Sequence, residues 1–191
     1  MTSEPRTRDP EAKKARLLEA ALGEFAEVGL AGARVERIAR RAQISPGLVY
    51  SFYAGKQELF DGVFDEVVQR TVSEVPIDTN DLPEYAARLH DANLAHPEVV
   101  RFLNWYQRER GTAAQRDTVT ESMREKVRAI ATAQERGTLT KELSAQQVLA
   151  LVLTIANMWV QQGEDITTLV PAAMQRQTIK DAVARIAAPS M

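Results

Sequence analysis

The sequence predicts an all-α protein, with a small N-terminal group of three helices followed by a larger helical bundle and about nine helices in all. Three observations carry this. Apolar residues recur at three- and four-residue steps along nearly the whole chain. No window shows the period-two alternation of a strand. Gly, Pro and Ser fall where helices of ordinary length must start and stop. With 45% apolar and 26% charged residues among 191, the composition is that of a folded chain long enough to bury a core.

Each element has its own signal. Pro10 and Glu11 open a first helix with Leu17, Ala20, Ala21, Phe25 and Val28 on one face, and Gly29 is its expected stop. A short helix over residues 35–42 turns Val35, Ile38, Ala39 and Ala42 to one side. Ser45-Pro46-Gly47 reads as an N-cap followed by Pro at the first helical position, starting a helix of barely two turns. Gly55 breaks it, and Lys56 begins a helix striped with Leu59, Phe60, Val63, Phe64 and Val67. Pro76 and the polar run 78–81 separate the second part. There, Leu82, Tyr85, Ala86, Leu89 and Ala92 mark one helix, and His96-Pro97 is the junction to the next. That helix carries Val99, Phe102, Leu103, Trp105 and Tyr106 and stops at Gly111. A long helix with Val119, Met123, Val127, Ile130 and Ala131 stops at Gly137. Ser144 caps an apolar helix over 148–160, and Pro171 opens the last, with Ile179, Val183 and Ile186 on one face. The expected domains are residues 11–60 and 61–191.

Composition excludes several functions. Without cysteine there is no disulfide scaffold, zinc finger, thiol catalysis or iron–sulfur centre. His90 and His96 stand six residues apart, about 240° around one helix, and cannot share a metal. No Gly-rich phosphate loop, nucleophile elbow or His-Glu-x-x-His motif occurs, so no catalytic, cofactor or metal site is expected. No run approaches 18 apolar residues, and the polar start MTSEPRTRDPEAKKAR lacks a signal-peptide core; the expectation is a cytoplasmic protein with no membrane partner. The net charge of -2 hides an asymmetry: residues 1–60 carry +2 and residues 61–191 carry -4. Between Arg34 and Lys56 lie Arg34, Arg37, Arg40, Arg41 and Lys56 against the single anion Glu36, a basic patch suited to an anionic partner.

The informative segment is VERIARRAQISPGLVYSFYAGKQELF, residues 35–60, with the helix-turn-helix expected over about 34–53. A helix-turn-helix needs a first helix packed through small apolar residues, a tight turn and a second helix short enough for the major groove. Ile38, Ala39 and Ala42 supply the first, Gln43-Ile44-Ser45 the second, and the helix opened by Pro46 and Gly47 the third. Pro46 and Gly47 have little bulk, so that helix end can approach base edges closely. Tyr50 and Tyr53 can send hydroxyls toward phosphates, and Lys56 adds a cation at the next helix N-terminus.

Phe25, Gly29, Ile38-Ala39, Ile44-Ser45, Tyr50, Phe52-Tyr53 and Lys56 together resemble the N-terminal pattern of the TetR family of bacterial transcriptional regulators, over about a third of the chain. Three places depart from that pattern. Gln43 stands where the turn holds Gly, Ala33-Arg34-Val35 where the second helix begins near Thr, and Ser51-Phe52 where aromatic and His residues are commoner. The resemblance implies a homodimeric repressor, released from palindromic double-stranded operator DNA by an unidentified small hydrophobic effector. The residues expected at DNA are Arg34, Ser45, Pro46, Gly47, Tyr50, Ser51, Tyr53 and Lys56. The resemblance also implies an effector cavity among the central bundle helices, with Phe102, Trp105, Met123, Asn157, Met158 and Trp159 as the candidate lining and Asn104 and His90 as further polar groups. A dimer interface is implied from the last two long helices. The helix over 148–160, apolar nearly all round, needs cover on two sides, and the stripe of Ile179, Val183 and Ile186 is expected beside it. Two alternatives stand beside this reading: a DNA-binding regulator with no small-molecule inducer, and an all-α binding protein or enzyme that no longer engages DNA.

Overall fold

The computed structural model describes residues 10–111 and 117–189, apart from the side chains of residues 118 and 164. All regular structure among them is helical: α1 (Pro10–Gly32), α2 (Val35–Arg41), α3 (Pro46–Phe52), α4 (Lys56–Glu74), α5 (Leu82–Ala95), α6 (Pro97–Arg110), α7 (Asp117–Glu135), α8 (Ala145–Gln161), α9 (Glu164–Thr167) and α10 (Ala172–Ala187). The helix beyond the expected nine is α9, a single turn too short to register as a periodic stripe.

The punctuation acts as local chemistry requires. Gly29 breaks α1 with φ 66° and ψ -176°, a conformation that only glycine adopts without strain. Ser45 caps α3 by accepting from the Leu48 N–H at 3.3 Å, and Ser144 forms a reciprocal capping box with Gln147 at the start of α8. Two helices end in the same motif, in which the two residues after the cap donate back to the last turn. At α7, Gly137 donates to Gln134 and Thr138 to Ala133; at α2, Gln43 donates to Arg40 and Ile44 to Ala39. The left-handed residue is Gly137 in one and Gln43, at φ 56°, in the other.

The chain divides into two compact units that do not follow the expected boundary at residue 60. Of the described residues, 10–67 and 98–111 form the first, and 68–97 and 117–189 the second. Helix α6 therefore belongs with α1–α3 and the first part of α4. The reason is a buried aromatic cluster. Phe60 meets Phe25 edge-on at 4.9 Å and Phe102 edge-on at 5.1 Å, and Tyr106 stacks on Phe64 at 3.8 Å between centroids. Phe25, Phe60, Phe102 and Tyr106 are all fully buried, and each hides enough apolar surface to contribute about 1.5–3 kcal/mol. Arg110 on α6 closes the seam by gripping both oxygens of Asp61 on α4, at 3.1 and 2.9 Å.

The second unit is built on α5, α8 and α10 with α7 beside α8. Val148, Val152, Ala156, Ile179 and Val183 are fully buried in its core. Arg176 of α10 bonds Asp91 at 3.0 Å and also Glu84, and Lys180 bonds Glu84 at 2.8 Å, tying α10 to α5. Ile179 and Val183 are thus used within the unit and are not free to form the stripe expected at an interface. The side of α8 left partly uncovered carries Leu151, Ile155 and Met158. His90 is fully buried with neither ring nitrogen partnered among the described residues, and burial holds its pKa below the ordinary histidine value. No helix among the described residues is long and apolar enough to cross a membrane.

Candidate nucleic-acid interface

Helices α2 and α3 with the turn between them form the helix-turn-helix. Ile38, Ala39 and Ala42 pack it onto α1 and α4, and Val49 is the one fully buried residue of α3. With that side anchored, Pro46, Gly47, Tyr50 and Ser51 are exposed. Tyr50 is 53% exposed, high for so large an aromatic residue. A Cβ built on Gly47 meets nothing within 4 Å, so the fold does not require glycine there. Ser51 spends its hydroxyl proton on the Leu48 carbonyl at 2.8 Å, which leaves its oxygen as an acceptor.

The basic patch resolves into two classes. Glu24, buried on α1, accepts from the Arg34 backbone N–H at 3.1 Å and from Arg37 at 2.6 Å, with Arg41 at 3.5 Å. Burial pushes this carboxyl up, but the Arg37 and Arg34 hydrogen bonds and the charges of Arg37 and Arg41 outweigh it and hold its pKa below the ordinary glutamate range. Arg41 also pairs with Glu27 at 3.1 Å. Arg37 and Arg41 therefore orient α2 against α1 and add little outward field. Arg34 and Arg40 have exposed side chains with no partner among the described residues. Lys56 lies between the classes. Its ammonium donates to the carbonyls of Ala33 at 3.0 Å and Ala31 at 3.3 Å, which fixes its position and leaves one N–H to spare.

Tyr53 departs from the expectation. Helix α3 ends at Phe52, and Tyr53 is extended (φ -140°, ψ 131°), which takes it off the helical phase that would pair it with Tyr50. Its ring lies over Gly62, where a Cβ would stand 2.6 Å from a ring carbon. Burial, with Glu66, Asp65 and Glu58 nearby, pushes its hydroxyl pKa up. The Tyr53 ring thus packs at the junction of α3 and α4. Sequence reasoning missed Glu24; the signal was a carboxylate on the apolar face of α1 with Arg37 and Arg41 one turn apart on α2.

The six residues expected around an effector are divided between the two units. Phe102 is part of the aromatic cluster, and Trp105 packs on Gly29; both are in the first unit. Trp159 is buried in the second unit, its indole N–H donating to the Gln175 carbonyl at 3.2 Å. Asn157 donates to Leu153 at 2.7 Å and accepts from Asn93 at 2.9 Å, and Met123 and Met158 are half-buried against the same core. None of the six lines a cleft of about 350 Å³ in the second unit, whose walls are Val68, Gln69, Val72 and Ser73 of α4 and Glu121, Ser122 and Glu125 of α7.

Known proteins show the same plan. Residues 17–63 match the family described as bacterial regulatory proteins, tetR family, and residues 81–188 match the tetracyclin repressor-like C-terminal domain. The chain is 42% identical to the HTH-type transcriptional repressor SCO4008 of Streptomyces coelicolor, over 78% of this chain and 79% of that protein. The crystal structure of SCO4942 from Streptomyces coelicolor superposes with a TM-score of 0.82 at 28% identity, over 93% of this chain and 99% of the other. A TetR family transcription regulator from Marinobacter aquaeolei VT8 gives 0.77 at 18% identity, over 97% and 100%, and shares the fold.

Proposed function

Because the chain belongs to the TetR family of bacterial transcription regulators, we propose that it is a homodimeric repressor that reads a palindromic operator with α3 and leaves it when a small effector binds the second unit. The observation that carries the reading is the exposed end of α3. Ser45 caps it, Gly47 lets it approach closely, Tyr50 stands out from it, and Arg34, Arg40 and the positioned Lys56 flank it. In this assignment Lys56 and Tyr50 meet phosphates, which sets register without reading sequence. Pro46, Gly47 and Ser51 face base edges, and Arg34 meets phosphate or a base edge. Tyr53 is left out, since its ring is committed to Gly62. The dimer is supported by Leu151, Ile155 and Met158 of α8, one helical side that the unit's own core covers only in part.

Release requires that the effector prefer the form whose two heads do not fit the operator. Helix α4 supplies the covalent continuity: Lys56 at one end belongs to the reading head, while Val68, Gln69, Val72 and Ser73 near the other end wall the cleft. The test is selection of bound sequences from random duplex DNA. The expected result is a palindrome with half-sites centred about 34–36 Å apart or a modest multiple, bound by a dimer in sedimentation at micromolar concentration. Recovery of unrelated sequences, or a monomer, would overturn it.

A further inference from the structure

The second unit contains a buried ammonium with no ion-pair partner among the described residues. Lys126 of α7 is 8% exposed, and its one hydrogen-bond partner among the described residues is the Ser122 hydroxyl, at 2.6 Å one turn earlier. An ammonium carries three donors and no acceptor, and leaving charge buried against a single neutral partner is unfavourable unless something else completes the site. Ser122 lines the cleft of about 350 Å³, at the lower end of the range for small-molecule pockets, and Lys126 is hydrogen-bonded to that serine. Because Lys126 donates to the Ser122 oxygen, the serine proton remains for another acceptor, and Ser122 lines the cleft. The pair therefore presents an O–H donor backed by a positive charge.

We infer that this cleft takes a small amphipathic organic acid, its carboxylate accepting from Ser122 with Lys126 as counter-ion and its apolar part against Val68 and Val72. This deepens the effector reading above and rests on it for its regulatory meaning. Two glutamates border the cleft and set a limit. Glu121 is tied to Arg124 at 3.5 Å and Arg128 at 2.6 Å, so its charge is largely met, whereas Glu125 is exposed at the rim. A ligand with one carboxylate seated at Ser122 avoids Glu125; a second negative group at the mouth would meet it. Gln69 and Ser73 offer neutral hydrogen bonds along the opposite wall.

The experiment is calorimetric titration of the full chain with octanoate, octanol and octylammonium, repeated on Ser122→Ala and Lys126→Met. Octanoate should bind at least about tenfold more tightly than either of the others, and each substitution should remove at least about tenfold of that affinity, the worth of one charge-assisted hydrogen bond. Lys126→Met replaces a buried charge with an apolar chain of similar length and should keep the helical circular dichroism; Ser122→Ala gives a second route to the same answer. Octanoate binding no tighter than octanol, or undiminished in both variants, overturns the site. Operator binding without any acid is measured separately: its failure would refute the regulatory reading while tight, Lys126-dependent octanoate binding still upheld the acid site.

Discussion

Gly29 is the position where one methyl group should do most damage. Its φ of 66° and ψ of -176° lie in a region essentially reserved for glycine, and holding another residue there costs about 1–3 kcal/mol. Space is lacking too: an added Cβ would stand 2.8, 2.9 and 3.0 Å from three carbons of the Trp105 indole, against an ordinary carbon contact of about 3.5–4.0 Å. The indole is rigid and cannot fold away, so it must shift as a body, and overpacking of this kind costs about another 1–3 kcal/mol. Gly29→Ala should therefore lose about 2–6 kcal/mol, a large share of the stability of a small domain. The assay is urea unfolding followed by circular dichroism, run as a double-mutant cycle with Trp105→Leu. In the Trp105→Leu background the steric part should vanish and the backbone part remain, giving a coupling of about 1–3 kcal/mol. An unchanged midpoint for Gly29→Ala, or strictly additive effects in the cycle, would refute the reasoning.

Gly47→Leu should separate folding from binding. The position is helical and open, so the thermal midpoint should hold or rise slightly, while electrophoretic mobility shift should show operator affinity lost; retained affinity would count against α3 entering the groove. Gln43→Gly should raise the unfolding free energy measured in urea by about 0.5–1 kcal/mol, because the left-handed turn strains Gln, while Gly137→Ala in the matching cap should lower it by a similar amount; equal signs would sink the comparison. Glu24→Gln should cost about 2–3 kcal/mol at pH 7. Since the folded pKa of Glu24 is depressed, its stabilisation is present above the unfolded value and is lost as pH falls through the folded one. The gap in thermal midpoint between the two proteins should thus narrow toward pH 3, and a constant gap would show that charge is not its source.

What was legible in the sequence was what local chemistry decides. Ser45, Ser144, Gly29 and Gly137 each act within a few residues, and the structure places a cap or a break at each, whereas α3 ends at Phe52, before the break expected at Gly55. The first residues of α3 were legible for the same reason. Long-range pairing was not. The apolar face of α6 announces that Phe102, Trp105 and Tyr106 pack inward, but nothing in a stripe says against what, and their partners Phe25, Gly29, Phe60 and Phe64 lie dozens of residues earlier. Tyr53 misled because two tyrosines three apart look like one helix face until the helix ends between them. Lys126 was hidden differently. The buried line of α7 runs through Ser122, Lys126, Ile130 and Ala133, whereas the stripe visible in the sequence, Val119, Met123, Val127, Ile130 and Ala131, is half-buried except at Ile130.

The discontinuity of the first unit has a consequence for how the chain is made. A ribosome delivers α1–α4 first, then the stretch 68–97 that belongs elsewhere, and only then α6. Until Phe102 and Tyr106 emerge, Phe25, Phe60 and Phe64 lack the rings that seal them, so the reading head closes in the second half of synthesis, exposing apolar surface in the interval. Modular exchange is constrained in the same way: a head grafted onto another regulator by a cut after residue 67 arrives without α6, and a graft meant to read DNA must bring that helix with it.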